Sequence, residues 1–430
     1  MGEKEFPLKE KLFVNYDTSL DLNGINGERL ASRLHKIAQI GLTDDNGSNR
    51  PGFSPKELQA KKLISEWMKE AGLTVTTDGA GNVFGRLEGK DPTKKTILSG
   101  SHVDSVPNGG HFDGPLGVLA ALEVAQAWEE EGYVPERPYE VVIFTDEEGS
   151  RFNSGFHGSK AVTGKGNVEE SLKLTDLAGL SFTEVLQSIG LTVDGYVASK
   201  RNMKAYELFV EVHIEQGKRL ERENLPCGIV TGIAGPYWVE FTFTGEAGHA
   251  GNTPMNDRKD ALVAASEFIQ RVPEIPIGIS ENAVATVGKM SVKPNGVNVI
   301  PGEVSLYVDM RDINQIDQET IVKQVKEAAK AIAEKHGVGL EWEEKARVAP
   351  VPINEENQAL LKDALEEHGI TPFYLPSGAG HDAMIIGEEI PAAMLFVKSK
   401  DGISHNPAEW SDLNDCVQAV HVLKSFLEKY

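Results

Sequence analysis

The chain is poor in cysteine, in basic charge and in long apolar runs. Only Cys227 and Cys416 occur, far apart and in no metal-type spacing. That excludes a disulfide framework and fits a reducing compartment. Lys and Arg number 43 against 65 Asp and Glu, a formal net charge of −22. Such a surface repels phosphate backbones and anionic lipid, so neither a nucleic-acid partner nor a membrane partner is expected. No apolar stretch approaches the ~20 residues of a membrane span. Residues 1–15 alternate charge with Phe and Leu and lack the apolar core of a signal peptide. A soluble, cytoplasmic protein is expected. At ~150 residues per domain, a 430-residue chain divides into two or three domains.

Periodicity outlines an α/β scaffold with an insert. Residues 1–24 read as a loosely packed N-terminal arm. Helical spacing covers 27–41 through Leu30, Leu34, Ile37 and Ala38, and Ser54 opens a second helix that Gly72 stops. An apolar run at 96–103, a helix at 116–131, the run EVVIFT at 140–145 and an alternating stretch at 206–214 follow. Strands separated by helices predict an α/β fold, a mostly parallel sheet with helices on both faces. In such sheets ligands bind beyond the carboxyl ends of the strands. His102, Asp146-Glu147-Glu148 and His213 lie at or just past those ends. From about 228 the texture becomes that of a small α+β domain, with β-α-β-β-α order: a one-faced strand at 238–244, a helix at 258–272, strands at 283–292 and 302–312, and a long helix at 315–336. The expected organisation is an arm (1–24), a larger domain in two parts (25–227 and 344–430), and an insert (228–343).

Four of the eleven histidines, His35, His336, His368 and His421, fall on helical patterns and read as surface or capping residues. The others sit in loops or at strand ends, and His102, His213 and His405 matter most. His102 is followed two residues on by Asp104, the arrangement of a metal ligand and the group that orients it. Asp113 sits among small residues just ahead of a helix, where a carboxylate can bridge two cations. Glu147 and Glu148 are adjacent acids after an apolar strand, a costly buried pair unless a cation or a shared proton compensates. One glutamate as ligand and its neighbour as general base satisfies that constraint; a solvated acidic turn is the alternative.

His-Val-Asp-Ser-Val, Gly-Gly-x-Phe-Asp-Gly-Pro-Leu-Gly-Val, Thr-Asp-Glu-Glu-Gly-Ser-Arg-Phe, His-Ile-Glu-Gln-Gly, Gly-His-Ala-Gly-Asn-Thr-Pro-Met and Ser-His-Asn-Pro-Ala-Glu-Trp occur in that order. Together they resemble the amidohydrolase branch of the dinuclear metallopeptidase M20 family, which holds N-carbamoyl-L-amino-acid hydrolases, β-ureidopropionases and allantoate amidohydrolases. The resemblance implies a catalytic larger domain and an insert that serves as lid and dimerisation domain. It implies two divalent cations, one held by His102, Asp113 and His213, the other by Asp113, Glu148 and His405, with Asp113 bridging. The nitrogen and oxygen donors suit Zn²⁺, Mn²⁺, Co²⁺ or Ni²⁺ without choosing among them. Glu147 is implied as general base and acid, and Asp104 as the residue that orients His102.

By the same resemblance, His249 hydrogen-bonds the oxyanion, in its own or a partner's site, and Asn298 and Arg311 grip a substrate carboxylate. Gln216, Gly380 and His381 wall the pocket. For Arg311 an ion pair with Asp309 or Asp312 is the alternative, and for His381 a structural pairing with Asp382. The implied substrate is a small ureido compound bearing a carboxylate, the implied reaction N-carbamoyl-L-amino acid plus water to L-amino acid, ammonia and carbon dioxide, and the implied assembly a homodimer through the insert. Allantoate or ureidopropionate hydrolysis remains an alternative, N-acyl amino acid or dipeptide hydrolysis is disfavoured by His213, and a metal-binding scaffold without catalysis is opposed by Glu147.

Overall fold

The computed structural model describes residues 5–430, which divide into two compact units. The larger comprises residues up to Val230, Ile353–Leu375 and His381–Tyr430; the smaller comprises Thr231–Pro352 and Pro376–Gly380.

At the centre of the larger unit, strands Tyr139–Phe144, Thr96–His102, Tyr206–Ile214 and Ala392–Val397 lie side by side and run parallel. Antiparallel strands continue the sheet, Val83–Leu87 and Thr74–Thr77 on one side and Cys227–Ile233 on the other. Strands Thr96–His102, Tyr139–Phe144 and Ala392–Val397 are buried at every position, as a parallel sheet covered on both faces requires. Ile97, Val141, Ile143, Val210 and Val212 pack into the main core with Leu30, Leu119, Trp128 and Val420. Their alternates Val142, Phe144 and Phe209 are buried on the opposite face.

Local chemistry sets the helix starts. The Asn26 side chain accepts the Arg29 N–H at the head of Gly27–Gln39, and Ser54 caps Pro55–Glu70. Helix Pro115–Glu131, which follows the His102 strand, is buried along almost its whole length and ends on left-handed Gly132.

The expected loose arm is a correction. Residues Leu8–Phe13 form a helix, and Phe6, Leu8 and Leu12 are buried in the main core against Gly27–Gln39. Leu8 and Leu12, four residues apart on one helix face, together with Phe6 just ahead of the helix, outweigh the charges between them.

The smaller unit is a four-stranded antiparallel sheet in the order Gly339–Arg347, Gly235–Thr244, Glu303–Asp312, Val284–Lys293. Val239, Phe241, Phe243, Val304 and Leu306 pack against Phe268 of Ala261–Arg271 and Ile321 and Val325 of Gln315–His336. Strand Gly339–Arg347 crosses the expected boundary at 343. It is an exposed edge carrying Glu341, Glu343, Glu344 and Lys345, so it shows no apolar run by which to recognise it.

One buried acid reports on stability. Asp415, on helix Leu413–Lys429, is pushed up to about 6 by burial, against the opposing pull of Lys398 at 3.1 Å. The folded carboxyl therefore holds its proton more tightly than an unfolded one, and its contribution is full below the ordinary 3.8 and lost as pH rises through about 6. Asp415→Asn should gain melting temperature relative to wild type between pH 4 and pH 6 and hold that gain at higher pH. A difference that stays flat across this range would show that the carboxyl is not raised.

Candidate metal centre

The carboxyl ends of all four parallel strands deliver side chains to one place. His102 ends its strand, Glu147 and Glu148 follow Tyr139–Phe144, His213 is the penultimate residue of Tyr206–Ile214, and His405 lies in the loop after Ala392–Val397. Asp113 precedes helix Pro115–Glu131.

Backbone carbonyls set the imidazole tautomers. His102 Nδ1 lies 3.2 Å from the Asp104 carbonyl oxygen and His213 Nδ1 3.0 Å from that of Ile214. A carbonyl only accepts, so each Nδ1 carries the proton and each Nε2 presents a lone pair. His102 Nε2 is buried without a hydrogen-bond partner. It lies 3.6 Å from Asp113 Oδ1 and 3.6 Å from Glu147 Oε2, and His213 Nε2 lies 3.3 Å from the same Asp113 oxygen. The other oxygen, Asp113 Oδ2, faces His405 Nε2 at 3.4 Å, and Glu148 Oε2 is 3.3 Å from that nitrogen. The donor atoms of His102, Asp113 and His213 lie within 4.8 Å of one another, as do those of Asp113, Glu148 and His405.

Charge argues for cations here. Burial drives the Glu147 carboxyl well above its ordinary range, opposed by His102 and reinforced by Glu148 and Asp382. Burial, then Asp113, push Glu148 up to about 8. Burial would raise Asp113 too, but the imidazoles of His102, His213 and His405 beside it hold it well below the usual carboxylate range. A buried lone pair and crowded carboxylates with imidazole and oxygen donors fit divalent ions.

A third group, Glu211, His213 and His381, also comes within 4.8 Å and shares His213 with the first. The one lone pair of His213 faces Asp113, while Glu211 accepts the Ser101 hydroxyl at 2.6 Å and the Ala383 N–H at 3.0 Å. Those bonds tie Glu211 to strand Thr96–His102 and to helix Asp382–Ile386.

Asp104 differs in detail from the expectation. Its carbonyl is what lies nearest His102 Nδ1, with its carboxylate at 3.5 Å, and the carboxylate accepts the N–H groups of Glu147 and Glu148, both at 3.1 Å. Gln216, at φ +56°, donates from Nε2 to Asp113 Oδ2 at 2.7 Å. His381 is buried with its ring 4.4 Å from that of His213. Gly380 lies in the loop between strand Tyr374–Ser377 and helix Asp382–Ile386.

The remaining expected residues belong to the smaller unit. His249 pairs with Val299 across two short strands, and the Ala250 N–H donates to the Asn298 carbonyl, so His249 and Asn298 are neighbours. His249 Nδ1 accepts the Gly251 N–H at 3.0 Å, which leaves Nε2–H as an outward donor. Arg311 forms the expected alternative, a two-pronged ion pair with Asp309 through Nε and Nη2, and Nη1 donates to the Gly378 carbonyl at 2.8 Å.

The model of peptidase family M20/M25/M40 matches residues 98–429. The chain is 44% identical over 399 residues to an N-carbamoyl-L-amino acid amidohydrolase of Geobacillus stearothermophilus, covering 93% of this chain and 97% of that one. It is 35% identical over 402 residues to allantoate amidohydrolase of Escherichia coli, covering 93% and 97%. The crystal structure of a hydantoinase/carbamoylase family amidase from Burkholderia multivorans superposes with a TM-score of 0.86 at 36% identity, covering 94% of this chain and 98% of that one. The chain belongs to peptidase family M20/M25/M40.

Three features of this M20 centre escape sequence reasoning. Asp146 adopts φ +54°, with Gly52 pressed so close that a Cβ there would lie 1.9 Å from the Asp146 carboxylate, and His157 Nδ1 holds that carboxylate at 2.7 Å. Glu409 and Ser404 flank Asp113. Glu409 stands inside a quoted motif, yet no local spacing marks it as a partner of Asp113.

Gly114 gives a test. At φ +82°, its added Cβ would lie 2.4 Å from the His102 ring. Gly114→Ala should displace the ring and weaken metal retention on dialysis by about tenfold or more. Metal content equal to wild type would remove His102 from the donor set.

Proposed function

We propose that this M20 amidohydrolase cleaves the C–N bond of a ureido group, with N-carbamoyl-L-amino acids as its substrates. The observation that supports this most is the split of the Asp113 carboxylate between two donor sets, Oδ1 towards His102 and His213 and Oδ2 towards His405, in a chain 44% identical to a carbamoyl-amino-acid amidohydrolase. His102 and His213 would hold one divalent ion and Glu148 and His405 the other, with Asp113 shared; Zn²⁺, Mn²⁺, Co²⁺ and Ni²⁺ all suit these donors. The chemistry such ions supply is polarisation of the scissile carbonyl and acidification of the attacking water.

The chain's own residues supply the rest. Glu147 takes the proton of the attacking water and delivers it to the departing amino-acid nitrogen, leaving carbamic acid to decay to ammonia and carbon dioxide. Its carboxylate lies 3.6 Å from His102 Nε2, beside the donor set, where it can carry the proton from the first half of that cycle to the second. His249 offers Nε2–H to the oxyanion, a bond worth ~3 kcal/mol in the transition state. Asp309 occupies the Nε edge of Arg311, which orients the end of the guanidinium for a substrate carboxylate, beside Asn298. The reading extends to a cytoplasmic homodimer joined through the inserted unit, whose outer strand Val284–Lys293 pairs on one side with Glu303–Asp312. No helix among the described residues is long and apolar enough to cross a membrane.

The 35% identity to an allantoate amidohydrolase supports the second reading, since allantoate also joins ureido groups to a carboxylate. Stripping the metal, restoring Mn²⁺ and measuring ammonia release from N-carbamoyl-L-methionine, N-carbamoyl-β-alanine and allantoate, with amine release from a dipeptide, separates the two. Metal-dependent turnover should be fastest with the carbamoyl α-amino acid; a lead for allantoate replaces the substrate, and silence on all four removes the activity. Glu147→Gln should bind metal as wild type does while turnover falls by about 10²–10⁴. Activity near wild type in that variant would exclude Glu147 as the base.

A further inference from the structure

Glu409 is buried, 3% exposed, in the loop segment that also carries His405. One of its oxygens, Oε1, accepts two main-chain N–H groups, from Phe112 at 2.8 Å and from Asp113 at 3.1 Å. The other, Oε2, lies 2.9 Å from the Ser404 hydroxyl, and that hydroxyl lies 2.7 Å from Asp113 Oδ2. A ring therefore closes: Glu409 to the Asp113 backbone, the Asp113 side chain to Ser404, and Ser404 back to Glu409. Gly110 lies directly against it, where a Cβ would stand 2.0 Å from the Glu409 carboxylate.

The ring joins segments almost three hundred residues apart in sequence. One carries Asp113; the other carries Ser404, His405 and Glu409. His405 is itself half exposed and at φ +54°, so little side-chain packing holds it and its place depends on the backbone around it. The Ser404 hydroxyl has one proton for two carboxylate acceptors, which ties the orientation of Asp113 Oδ2 to that of Glu409.

We propose that Glu409 is a positioning residue for the metal centre: through the Phe112 and Asp113 N–H groups and through Ser404 it fixes the Asp113 carboxylate and the distance from Asp113 to His405, so that the two donor sets stay in register. This rests on reading the site as a metal centre. It does not depend on which ureido compound is the substrate.

The test uses the full chain, stripped with a chelator and titrated calorimetrically with Mn²⁺ and with Zn²⁺, with melting of the metal-free protein measured alongside. Glu409→Ala should bind metal about 10–100-fold more weakly. Glu409→Gln keeps an oxygen for both N–H groups and an amide to donate to Ser404, and should recover affinity to within about threefold of wild type while Glu409→Ala does not. Ser404→Ala leaves both backbone bonds in place and should show a smaller loss of affinity at an unchanged melting temperature. At saturating metal, the Glu409→Ala variant should lose kcat with KM unchanged. Wild-type metal affinity in both alanine variants overturns the proposal. So does a glutamine variant that melts like wild type yet binds metal as poorly as the alanine one. A wild-type protein that takes up metal but hydrolyses no ureido compound removes the substrate reading alone, because the titrations judge Glu409 without it.

Discussion

Crowding of buried carboxylates is the constraint on which the rest of the structure depends. Asp104, Asp113, Glu147, Glu211 and Glu409 are all buried in the larger unit, and Glu148 lies among them. Two like charges 4 Å apart repel by ~4 kcal/mol at the effective dielectric of a protein, so such a set persists only if each charge is answered. The fold answers them in two ways. Acids around the site accept hydrogen bonds: Asp104 from the Glu147 and Glu148 N–H groups, Glu409 from those of Phe112 and Asp113, Glu211 from Ala383 and Ser101. Asp113, Glu147 and Glu148 instead converge on the imidazoles of His102, His213 and His405. Charge left unanswered by the protein is concentrated where a cation can enter.

That concentration follows from the sheet. Parallel strands put their carboxyl ends on one edge, and four neighbouring strands here each carry a chemically useful residue just at or beyond that end. Strands buried on both faces cannot display polar side chains along their length. Function is therefore pushed to the strand ends, where the chain turns and left-handed residues such as Asp146, Gln216 and His405 occur. Each of these costs backbone strain of order 1 kcal/mol or more, tolerated because close contacts around it over-determine the turn.

Much of this is legible in the residues alone, and the reasons differ by element. Strand Tyr206–Ile214 and helix Gln315–His336 coincide with their expected ranges, because apolar periodicity and caps act locally. The docked helix Leu8–Phe13 and the edge strand Gly339–Arg347 do not announce themselves: one is short, the other has little apolar content, and both are stabilised by partners distant in sequence. The same division holds at the site. His102, Asp113, Glu148, His213 and His405 fall together because each sits in a distinctive motif. Glu409 and His157 escape because their meaning lies in contacts with Asp113 and Asp146, which no spacing along the chain encodes.

Asp104 shows why residue type and position understate a role. Spacing points to a carboxylate that orients His102, yet the group nearest the ring is the Asp104 carbonyl, and the carboxylate is occupied by the two N–H groups of the Glu147–Glu148 turn. One residue thus fixes the tautomer of a candidate ligand through its backbone and the position of the candidate base through its side chain. The two parts of the site share a support, so a change that releases the Glu147–Glu148 turn also loosens His102. Separating metal binding from proton transfer then requires substitutions that keep the shape of the group altered, because truncation at such a shared support perturbs both at once.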